Sequence, residues 1–546
     1  MSININPDEI RDLGGAREAI RQLLNLVETL SAGNRVLREE NQAQRDEIAR
    51  LKGEQGKPEI KGNKKERVDY SSERERKRGA GSESGPGHER HSKIAEIKVD
   101  RTEAVKVERS QMPADAEFKG HEAVVVQDIV IKTDNVRFLK EKYYSASAGK
   151  TYLAALPAGY EGQFGPGVRS WVITLYYAGG MSEPKIRELL SQAGVRISAG
   201  QVSNLLTHNI QDWEAEAQTM LHTGLQSTSW QHIDDTPTRV AGVNHFCHIL
   251  TNPYYSWYAT RPHKNRLTVI SVMADTREPE YLLNSATADW LEKLGVPNWA
   301  RLQLAKWPQD KPMGDEEIRG YLSQDVGARL NDQQQLRILE AAALTAYYAQ
   351  TRVPIIPILL SDDAGQFRHL TLWHSLCWVH EGRHYKKLMP CLLYHQQLLD
   401  TFRGEFWAYY YQLQQYQLAP APTEAQRLHA EFVKLFCTHT GYDALDKCIA
   451  ATLGKQTQLL TVLAHPEIPL HNNPAELAAR QRVRKRDVSF GPRTPAGLKA
   501  WDTFMSLAET TKKLGVSFYA FVHDRISKLG HVQPLAEIIR ARAAPA

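Results

Sequence analysis

Residues 230–237 read Trp-Gln-His-Ile-Asp-Asp-Thr-Pro, a short apolar-leaning stretch that ends in acidic residues. The first four residues predict a β-strand, which places Asp234 and Asp235 at the carboxyl end of that strand. A second and strongly apolar stretch, Ile355-Ile-Pro-Ile-Leu-Leu360, leads in the same way to Asp362. Carboxylates at strand ends in an α/β sheet face the crevice where ligands bind. The two stretches therefore predict an α/β core with an acidic site.

The region around these stretches, about 225–520, alternates short apolar runs with longer helical patterns. The apolar runs predict strands at 228–234, 245–250, 254–259, 355–361 and 373–378. Two intervening stretches, about 315–350 and 384–465, are too long for loops and predict helical insertions. A final pair of helices is expected at about 496–528.

A third acidic residue, Glu476, follows Asn472-Asn-Pro-Ala475. Three carboxylates that converge from two strands and a helix can hold two divalent ions, because Mg²⁺ takes a few hard oxygen ligands and keeps waters. Two such ions about 3.5–4 Å apart clamp the attacking and leaving oxygens of a phosphodiester displacement. Structural alternatives stay open, since aspartates are common in turns and Asn473, Pro474 and Glu476 match a helix capping box.

Basic residues follow Glu476 along the same predicted helix. Arg480 and Arg484 recur at four-residue spacing and share a face with Glu476, and Lys485 and Arg486 continue the basic run. Basic charge beside an acidic metal site suits a polyanionic substrate. The alternative is a helix face that is simply solvated.

Residues 161–222 match the pattern of a helix-turn-helix DNA-binding domain. A first apolar helix ends at a glycine pair, a second begins at a serine cap, and Ser198 caps a third. The third helix would expose Gln201, Ser203 and Asn204, whose side chains can contact bases or phosphates. An ordinary helical hairpin is the alternative.

Residues 9–52 form a heptad pattern. One seam position holds Ile20, Val27, Asn34, Asn41 and Ile48, and the position three residues later holds Leu23, Leu30, Leu37, Gln44 and Leu51. β-Branched residues at the first position with Leu at the second favour two parallel strands, and buried Asn sets their register. This predicts a coiled-coil dimerisation helix, although a single amphipathic helix packed on its own domain is the alternative.

Two segments separate the heptad from the helix-turn-helix. Residues 53–98 are highly charged and rich in Gly and Ser, which predicts a basic disordered linker because they cannot bury enough apolar surface. Residues 99–160 predict a small β module, since 124–131 is a β-rich run and Val136, Phe138, Tyr143 and Tyr144 suggest another strand.

Composition excludes several classes of protein. The 546 residues suggest three or four domains. A membrane-spanning helix and a secretory signal are not expected, because no run approaches about 18 unbroken apolar residues and no basic stretch precedes an apolar one at the N-terminus. The five cysteines form no CxxC pair, so a reducing cytoplasm is expected. The net charge of +5 is only weakly informative.

A competing motif occurs at His380-Glu-Gly-Arg-His384, which matches the H-E-x-x-H pattern of zinc proteases. Gly382 weakens a helix there, and the charged Arg383 stands where zinc proteases usually keep an uncharged residue. A zinc hydrolase is therefore a minor alternative, which would need zinc bound at His380 and His384.

Five blocks, in the right order over about 10–525, resemble those of insertion-sequence-66-type transposases. They are His232-Ile-Asp-Asp-Thr-Pro237; Asp362 with Gly365 and Phe367; Cys377-Trp-Val-His380 with Arg383 and Lys386; Asn472-Asn-Pro-Ala-Glu476 with Arg480 and Lys485-Arg486; and Glu509-Thr-Thr-Lys-Lys-Leu-Gly515 with Tyr519. One such block is weak evidence, but the ordered set is specific.

The resemblance implies a ribonuclease-H-like catalytic core, over 223–383 and 466–530, with Asp234, Asp362 and Glu476 as catalytic and metal-binding residues. It implies a DDE transposase that binds transposon-end DNA and catalyses metal-dependent strand cleavage and strand transfer into target DNA. Two Mg²⁺ ions, with Mn²⁺ as a substitute, are the implied cofactors. A homodimer or higher oligomer through 9–52, accessory proteins of the same element and a bacterial, nucleoid-associated location are further expectations.

Three departures from the family pattern bear on this interpretation. Asp235 stands where the family usually has Glu, and Asp363 replaces a Gly, so Asp363 is an alternative to Asp362. The cysteines of a zinc-binding module are replaced around Ala114–Ala116 and Ser145–Ser147, which leaves the β module zinc-finger-like without its ligands. About 70 extra residues lie near 275–350. The alternative function is a catalytically inactive, transposase-derived DNA-binding regulator or accessory subunit.

Overall fold

The computed structural model describes residues 10, 12–51, 98–108, 118, 120–160 and 162–544. The chain is rich in helix and contains a mixed β-sheet, which confirms the predicted α/β class. The linker predicted at 53–98 lies outside the described residues except for its last residue, and so do Ala114 and Ala116 of the β module. Within the described ranges, no helix combines the length and apolar character needed to cross a membrane.

A small hairpin is the regular structure described within 99–160. Its strands, β1 (Lys142–Ser145) and β2 (Lys150–Leu153), pair antiparallel. The strand predicted over 124–131 is wrong, because these residues form no strand and Val124 and Ile129 are largely exposed. β-Branched residues favour a strand where they pack against neighbours, and among the described residues this run meets neither a partner strand nor the core.

Five helices of the described ranges precede the central sheet. They are α1 (Leu13–Leu51), α2 (Pro166–Tyr177), α3 (Glu183–Gln192), α4 (Ala199–Thr207) and α5 (Gln211–Gln226). Helix α4 begins at Ser198, whose hydroxyl accepts from the Gln201 backbone nitrogen in a capping box. Helices α2, α3 and α4 pack on one another over buried apolar side chains. That they form a helix-turn-helix domain stays a prediction. Whether this unit binds DNA stays a prediction.

A five-stranded mixed sheet follows, and all five strands predicted from the apolar runs are present. They are β3 (Trp230–Val240), β4 (Val243–Thr251), β5 (Ser256–Arg261), β6 (Ile358–Ser361) and β7 (Trp373–Leu376), in the spatial order β5-β4-β3-β6-β7. The first three strands form an antiparallel meander, and β6 and β7 run parallel to β3. Strand β6 is buried on both faces, which explains its unbroken apolar sequence.

The first helical insertion lies between β5 and β6. It contains α6 (Arg266–Met273), α7 (Ser285–Lys293), α8 (Asn298–Leu304), α9 (Asp315–Tyr321), a π-helical turn (Leu322–Val326), a 3-10 turn (Gly327–Arg329) and α10 (Asp332–Ala349). Helix α10 packs against α6 and α7, and its buried Glu340 forms an ion pair with Arg266. The extra residues predicted near 275–350 are therefore an ordered unit that shares the hydrophobic core of the sheet.

The second helical insertion follows β7 and has its own core. It contains α11 (Trp378–Lys386), α12 (Leu393–Leu418), α13 (Pro422–Phe436), α14 (Asp443–Leu453), α15 (Gln456–Leu459) and α16 (Thr461–Ala464). Aromatic side chains dominate that core, among them Trp378, Phe406 and Phe432. This agrees with the insertion predicted at 384–465.

The last helices join the sheet to the helices α2 to α5. They are α17 (Asn473–Ser489), α18 (Pro495–Lys513), α19 (Phe518–Ser527) and α20 (Leu535–Ala543). Helix α17 packs on β3 and β4, α18 on β5, α19 on α2 and α20 on α5. One hydrophobic core therefore runs from the sheet into helices α2 to α5, which fixes the two parts relative to each other.

Helix α1 docks on the second insertion through a polar face. The Glu28 carboxylate accepts from the backbone nitrogens of Cys391 (2.5 Å) and Leu392 (3.2 Å) and contacts the His395 ring (3.2 Å). Both residues lie just before α12, so Glu28 binds the backbone that leads into that helix. Asn25 donates to the Gly441 carbonyl (3.0 Å).

The predicted seam of α1 points away from this contact. Its apolar residues are 46–58% exposed: Ile20, Leu23, Val27, Leu30, Leu37 and Ile48. Asn25 and Glu28 occupy heptad positions on the side opposite the seam. The helix therefore packs on the chain, but with its polar rather than its apolar face, and the coiled coil stays a prediction.

Helix α11 lies so close to α12 that Gly382 has no room for a side chain. A methyl group built on Gly382 would lie 2.8 Å from the Trp407 ring and 3.2 Å from the Phe406 ring. The glycine that weakens the H-E-x-x-H interpretation is thus explained by packing, and it fixes the position of α11 beside the acidic site.

We expect Gly382→Ala to lower the free energy of unfolding by about 1–3 kcal/mol, because the added methyl overpacks the aromatic core. Urea denaturation measures this change. Gly404→Ala is the matched control, since a methyl there meets nothing within 4 Å on the exposed side of α12; it should be neutral or stabilise by about 1 kcal/mol. Equal stability of the two variants would contradict the packing argument.

Candidate active site

The three predicted carboxylates come from β3, the end of β6 and the first turn of α17. Strands β3 and β6 are parallel neighbours with His232 opposite Leu360. Asp234 and Asp362 each lie two residues beyond that pair, so both are at the same edge of the sheet. Helix α17 packs on β3 and brings Glu476 to this edge. The carboxylates are close enough that the charges of Asp362 and Glu476 act on Asp234.

Burial makes this edge unfavourable for negative charge. Burial, followed by the charge of Asp362, raises the pKa of Asp234 to about 8. Burial also raises the pKa of Asp362. Such shifts cluster at sites that bind a cation or move a proton. Half-buried carboxylates with excess negative charge fit Mg²⁺, which prefers hard oxygen ligands.

The two neighbouring aspartates are engaged elsewhere. Asp235 accepts a hydrogen bond from Gln366 (2.7 Å). Asp363 accepts from the ammonium of Lys455 (2.7 Å), which also binds Glu381. Although burial alone would raise the pKa of Asp363, the hydrogen bond from Lys455 lowers it. The geometry therefore favours Asp362 over Asp363 as the second carboxylate.

The capping-box interpretation of Glu476 is wrong. The N-cap residue of α17 is Asn472 rather than Asn473, and its side chain makes no capping hydrogen bond. The Glu476 carboxylate is instead bound by Arg383, whose Nη2 lies 2.9 Å from Oε2 and 3.3 Å from Oε1. His380 Nδ1 lies 3.5 Å from Oε1. Glu476 thus faces the acidic site and α11 rather than its own helix terminus.

Asn472 holds the site together, a role that the sequence did not reveal. It is almost fully buried, donates from Nδ2 to the Ile233 carbonyl (2.8 Å) and contacts the His232 ring (2.9 Å). Its backbone nitrogen donates to Cys377 Sγ (3.1 Å). It therefore ties the strand of Asp234 to the helices of Arg383 and Glu476. The sequence signal that could have pointed to Asn472 is its position in the Asn-Asn-Pro-Ala-Glu block.

The H-E-x-x-H histidines do not converge on one site. His380 lies with Cys377 and Glu476 in one group of potential ligand atoms, and His384 lies with Asp363 and Glu381 in another. His384 Nε2 is 3.8 Å from Asp363. Burial lowers the pKa of His380. A zinc site that uses both histidines is not supported by this arrangement.

The basic residues of α17 divide between its outer and inner faces. Arg480 and Arg484 are exposed, and Arg486 is half-buried and donates to the Pro237 carbonyl (2.6 Å). Lys485 is buried, with Nζ 3.1 Å from the centre of the Tyr176 ring. Burial lowers the pKa of Lys485 to about 7. The prediction of Lys485 as a DNA contact is therefore wrong, because helical periodicity turns it inward.

The predicted DNA-reading residues of α4 also differ in accessibility. Gln201 completes the cap of α4 and donates to Gln163 (2.9 Å). Ser203 is half-buried and bonds to Glu183. Asn204 is exposed and is the most accessible of the three.

Comparison with known proteins assigns the chain to a family. The sequence model of the family described as Transposase IS66 family matches residues 161–285 and 345–500, slightly more than half of the chain. The chain belongs to the IS66 transposase family. The unmatched residues of this IS66 chain between the two blocks lie in the first insertion. A similar protein, the uncharacterized protein y4jO of Sinorhizobium fredii, is 31% identical over 325 residues, 59% of this chain and all of that protein.

Membership of the IS66 family implies DNA as a partner, so the two neighbouring basic residues of α17 can be compared. We expect Arg484→Met to reduce the slope of log affinity against log salt concentration by about one, because an exposed arginine that binds phosphate releases counterions. Lys485→Met should leave this slope unchanged, since Lys485 is buried against Tyr176.

Fluorescence anisotropy with duplex DNA at several salt concentrations measures both slopes, and thermal denaturation confirms that each variant is folded. A smaller slope for Lys485→Met than for Arg484→Met would contradict the division of the helix into outer and inner faces.

Proposed function

We propose that this IS66-family protein is a DDE transposase that binds transposon-end DNA and catalyses metal-dependent strand cleavage and strand transfer into target DNA. The proposal is supported by the register of β3 and β6, which puts Asp234 and Asp362 two residues beyond a pair of parallel neighbours, and by the packing of α17, the helix of Glu476, on β3. The strand order, a meander followed by two parallel strands, supports the ribonuclease-H-like core that the resemblance implies.

In this proposal the three carboxylates bind two Mg²⁺ ions, for which Mn²⁺ can substitute. The bound ions supply the positive charge that stabilises the attacking and leaving oxygens. The nucleophile is water in the cleavage step and the new 3′-OH in the transfer step. The protein contributes by orientation, since Asn472 fixes β3 against α17 and thereby fixes Asp234 against Glu476.

The DNA is proposed to lie along α17 and to reach the helix-turn-helix unit. Arg480 and Arg484 provide exposed positive charge beyond Glu476. The same helix carries Lys485, which packs on Tyr176 of α2 roughly 14 Å further along at 1.5 Å per residue. A single rigid helix therefore connects the acidic site to the unit that would present Asn204 to DNA.

Dimerisation, or assembly into a higher oligomer, is proposed to occur through α1. Its polar face docks on the second insertion through Asn25 and Glu28, which leaves the apolar seam facing outward. A row of half-exposed Leu, Ile and Val at heptad spacing is the surface that a second copy of the helix covers. Accessory proteins of the same element and a bacterial, nucleoid-associated location remain part of the proposal.

The second candidate function is a catalytically inactive DNA-binding regulator or accessory subunit of transposase descent. This inactive form is favoured by the departures from the family pattern, above all by the missing cysteines and the first insertion. The presence of all three carboxylates favours the enzyme. Metal-dependent joining of DNA distinguishes the two.

We expect wild-type protein to join a pre-cut transposon-end oligonucleotide to plasmid DNA in Mg²⁺ or Mn²⁺. Glu476→Gln should lower the joining rate by at least about a hundredfold, because it keeps the shape of the side chain but removes the charge that binds the metal. Gel electrophoresis of labelled oligonucleotide measures joining.

Glu405→Gln makes the same chemical change at an exposed position of α12 and should join as wild type does. Equal joining by Glu476→Gln and wild type would mean that the triad is misassigned. Absence of joining by both, with DNA still bound, would favour the regulator.

We expect the combined substitution Leu30→Lys and Leu37→Lys to convert the full-length dimer to a monomer, because both side chains lie in the seam and two lysine pairs would repel. Sedimentation velocity gives the oligomeric state. Ala43→Lys, at an exposed position outside the seam, should leave the dimer intact. An unchanged dimer in the double variant would rule out α1 as the interface.

A further inference from the structure

The third carboxylate of the site differs from the other two in its partner. Glu476 is bound through both oxygens by one nitrogen of Arg383, at 2.9 and 3.3 Å. The charges that act most on Asp234 are instead those of other carboxylates, Asp362 and Glu476. Among the described residues, Arg383 is the arginine that pairs with a carboxylate of the triad, and that carboxylate is Glu476.

Arg383 is held in this position by a rigid surrounding. It lies on α11, whose Gly382 packs against the ring of Trp407. Its Nη1 lies 2.8 Å from His380 Nε2, and His380 itself approaches Glu476. The side chains of Arg383 and Glu476 are 22% and 20% exposed, so water screens the ion pair only partly.

The guanidinium is not fully satisfied there. Its Nε is buried and has no hydrogen-bond partner. Leaving a buried donor unpaired is unfavourable. The guanidinium is therefore well bonded at Nη2, which donates to Glu476, but not at Nε. A group that leaves one donor unpaired is easier to displace than one that is fully hydrogen-bonded.

A carboxylate accepts cations through the lone pairs of its two oxygens. A divalent ion coordinates these oxygens at about 2.0–2.6 Å. The Arg383 nitrogen that contacts both oxygens takes up lone pairs that such an ion would use. The two cations therefore exclude each other at those lone pairs of Glu476.

We propose that Arg383 competes with the divalent cation for Glu476, and that it withholds the third carboxylate from the metal site until it is displaced. This inference rests on the proposed function, because it assumes that Glu476 is a metal ligand. Arg383 is in these terms a positioning residue. The released guanidinium stays beside the site with its planar donors available, which suits a DNA phosphate.

The experiment measures Mn²⁺ binding to the full chain by electron paramagnetic resonance, which reports free Mn²⁺ without requiring catalysis. We expect Arg383→Gln to bind Mn²⁺ about three- to tenfold more tightly than wild type, because removing the competing charge-assisted contact frees Glu476. Arg383→Lys keeps the charge but loses the planar donor group, so its affinity for Mn²⁺ should lie between those of wild type and Arg383→Gln.

Two backgrounds separate competition from a general effect of charge. In a chain that already carries Glu476→Gln, adding Arg383→Gln should give no gain in Mn²⁺ affinity. Arg427→Gln removes an arginine that pairs with Glu424 and Glu431 far along the second insertion, and it should bind as wild type does. Thermal denaturation establishes that each variant is folded.

Unchanged or weaker Mn²⁺ binding by both folded Arg383 variants would overturn the inference, and so would a gain that persists with Glu476→Gln. Asp234→Asn shows whether a negative result contradicts only the competition or the proposed metal site as well. If Asp234→Asn abolishes Mn²⁺ binding while the Arg383 variants gain none, only the competition is wrong. If Asp234→Asn binds Mn²⁺ as wild type does, the proposed metal site is wrong and the competition with it.

Discussion

The parallel pairing of β3 with β6 brings two aspartates together that are far apart in the sequence. The pairing places His232 opposite Leu360, and each aspartate follows two residues later, Asp234 within β3 and Asp362 just past the end of β6. The strands are buried at this pair and the two aspartates are half-buried, so burial raises the pKa of both carboxyl groups. A buried group of like charges is stable only when protonated or when a cation is present. The chemistry of the site follows from that constraint.

Helix α17 adds the third carboxylate and joins the site to the rest of the molecule. Asn472 at its start binds both the backbone of β3 and, through its own nitrogen, Cys377 before α11. Arg482 in its middle is fully buried and pairs with Asp502 of α18 at 3.2 Å. Lys485 near its end packs on Tyr176 of α2. One helix therefore carries Glu476 and also packs on α2.

The alternation of residues along the chain determined much about this protein without any tertiary information. Five apolar runs predicted five strands, and two long helical stretches predicted the insertions, because burial in a sheet or a helix requires a regular apolar period. The order of the Asp234, Asp362 and Glu476 blocks indicated the family before any fold was known. Local pattern was misleading at 124–131, where β-branched residues meet no partner strand in the described chain.

Only the tertiary structure decided which polar side chains are available for function. Pattern alone could not separate buried Lys485 from exposed Arg484, or the Lys455-bound Asp363 from Asp362. It also could not show that Arg383 of α11 binds Glu476 of α17, 93 residues away. The physical reason is that the period of a helix or strand gives the direction of a side chain relative to its own element. The partner that the side chain meets depends on how distant elements pack.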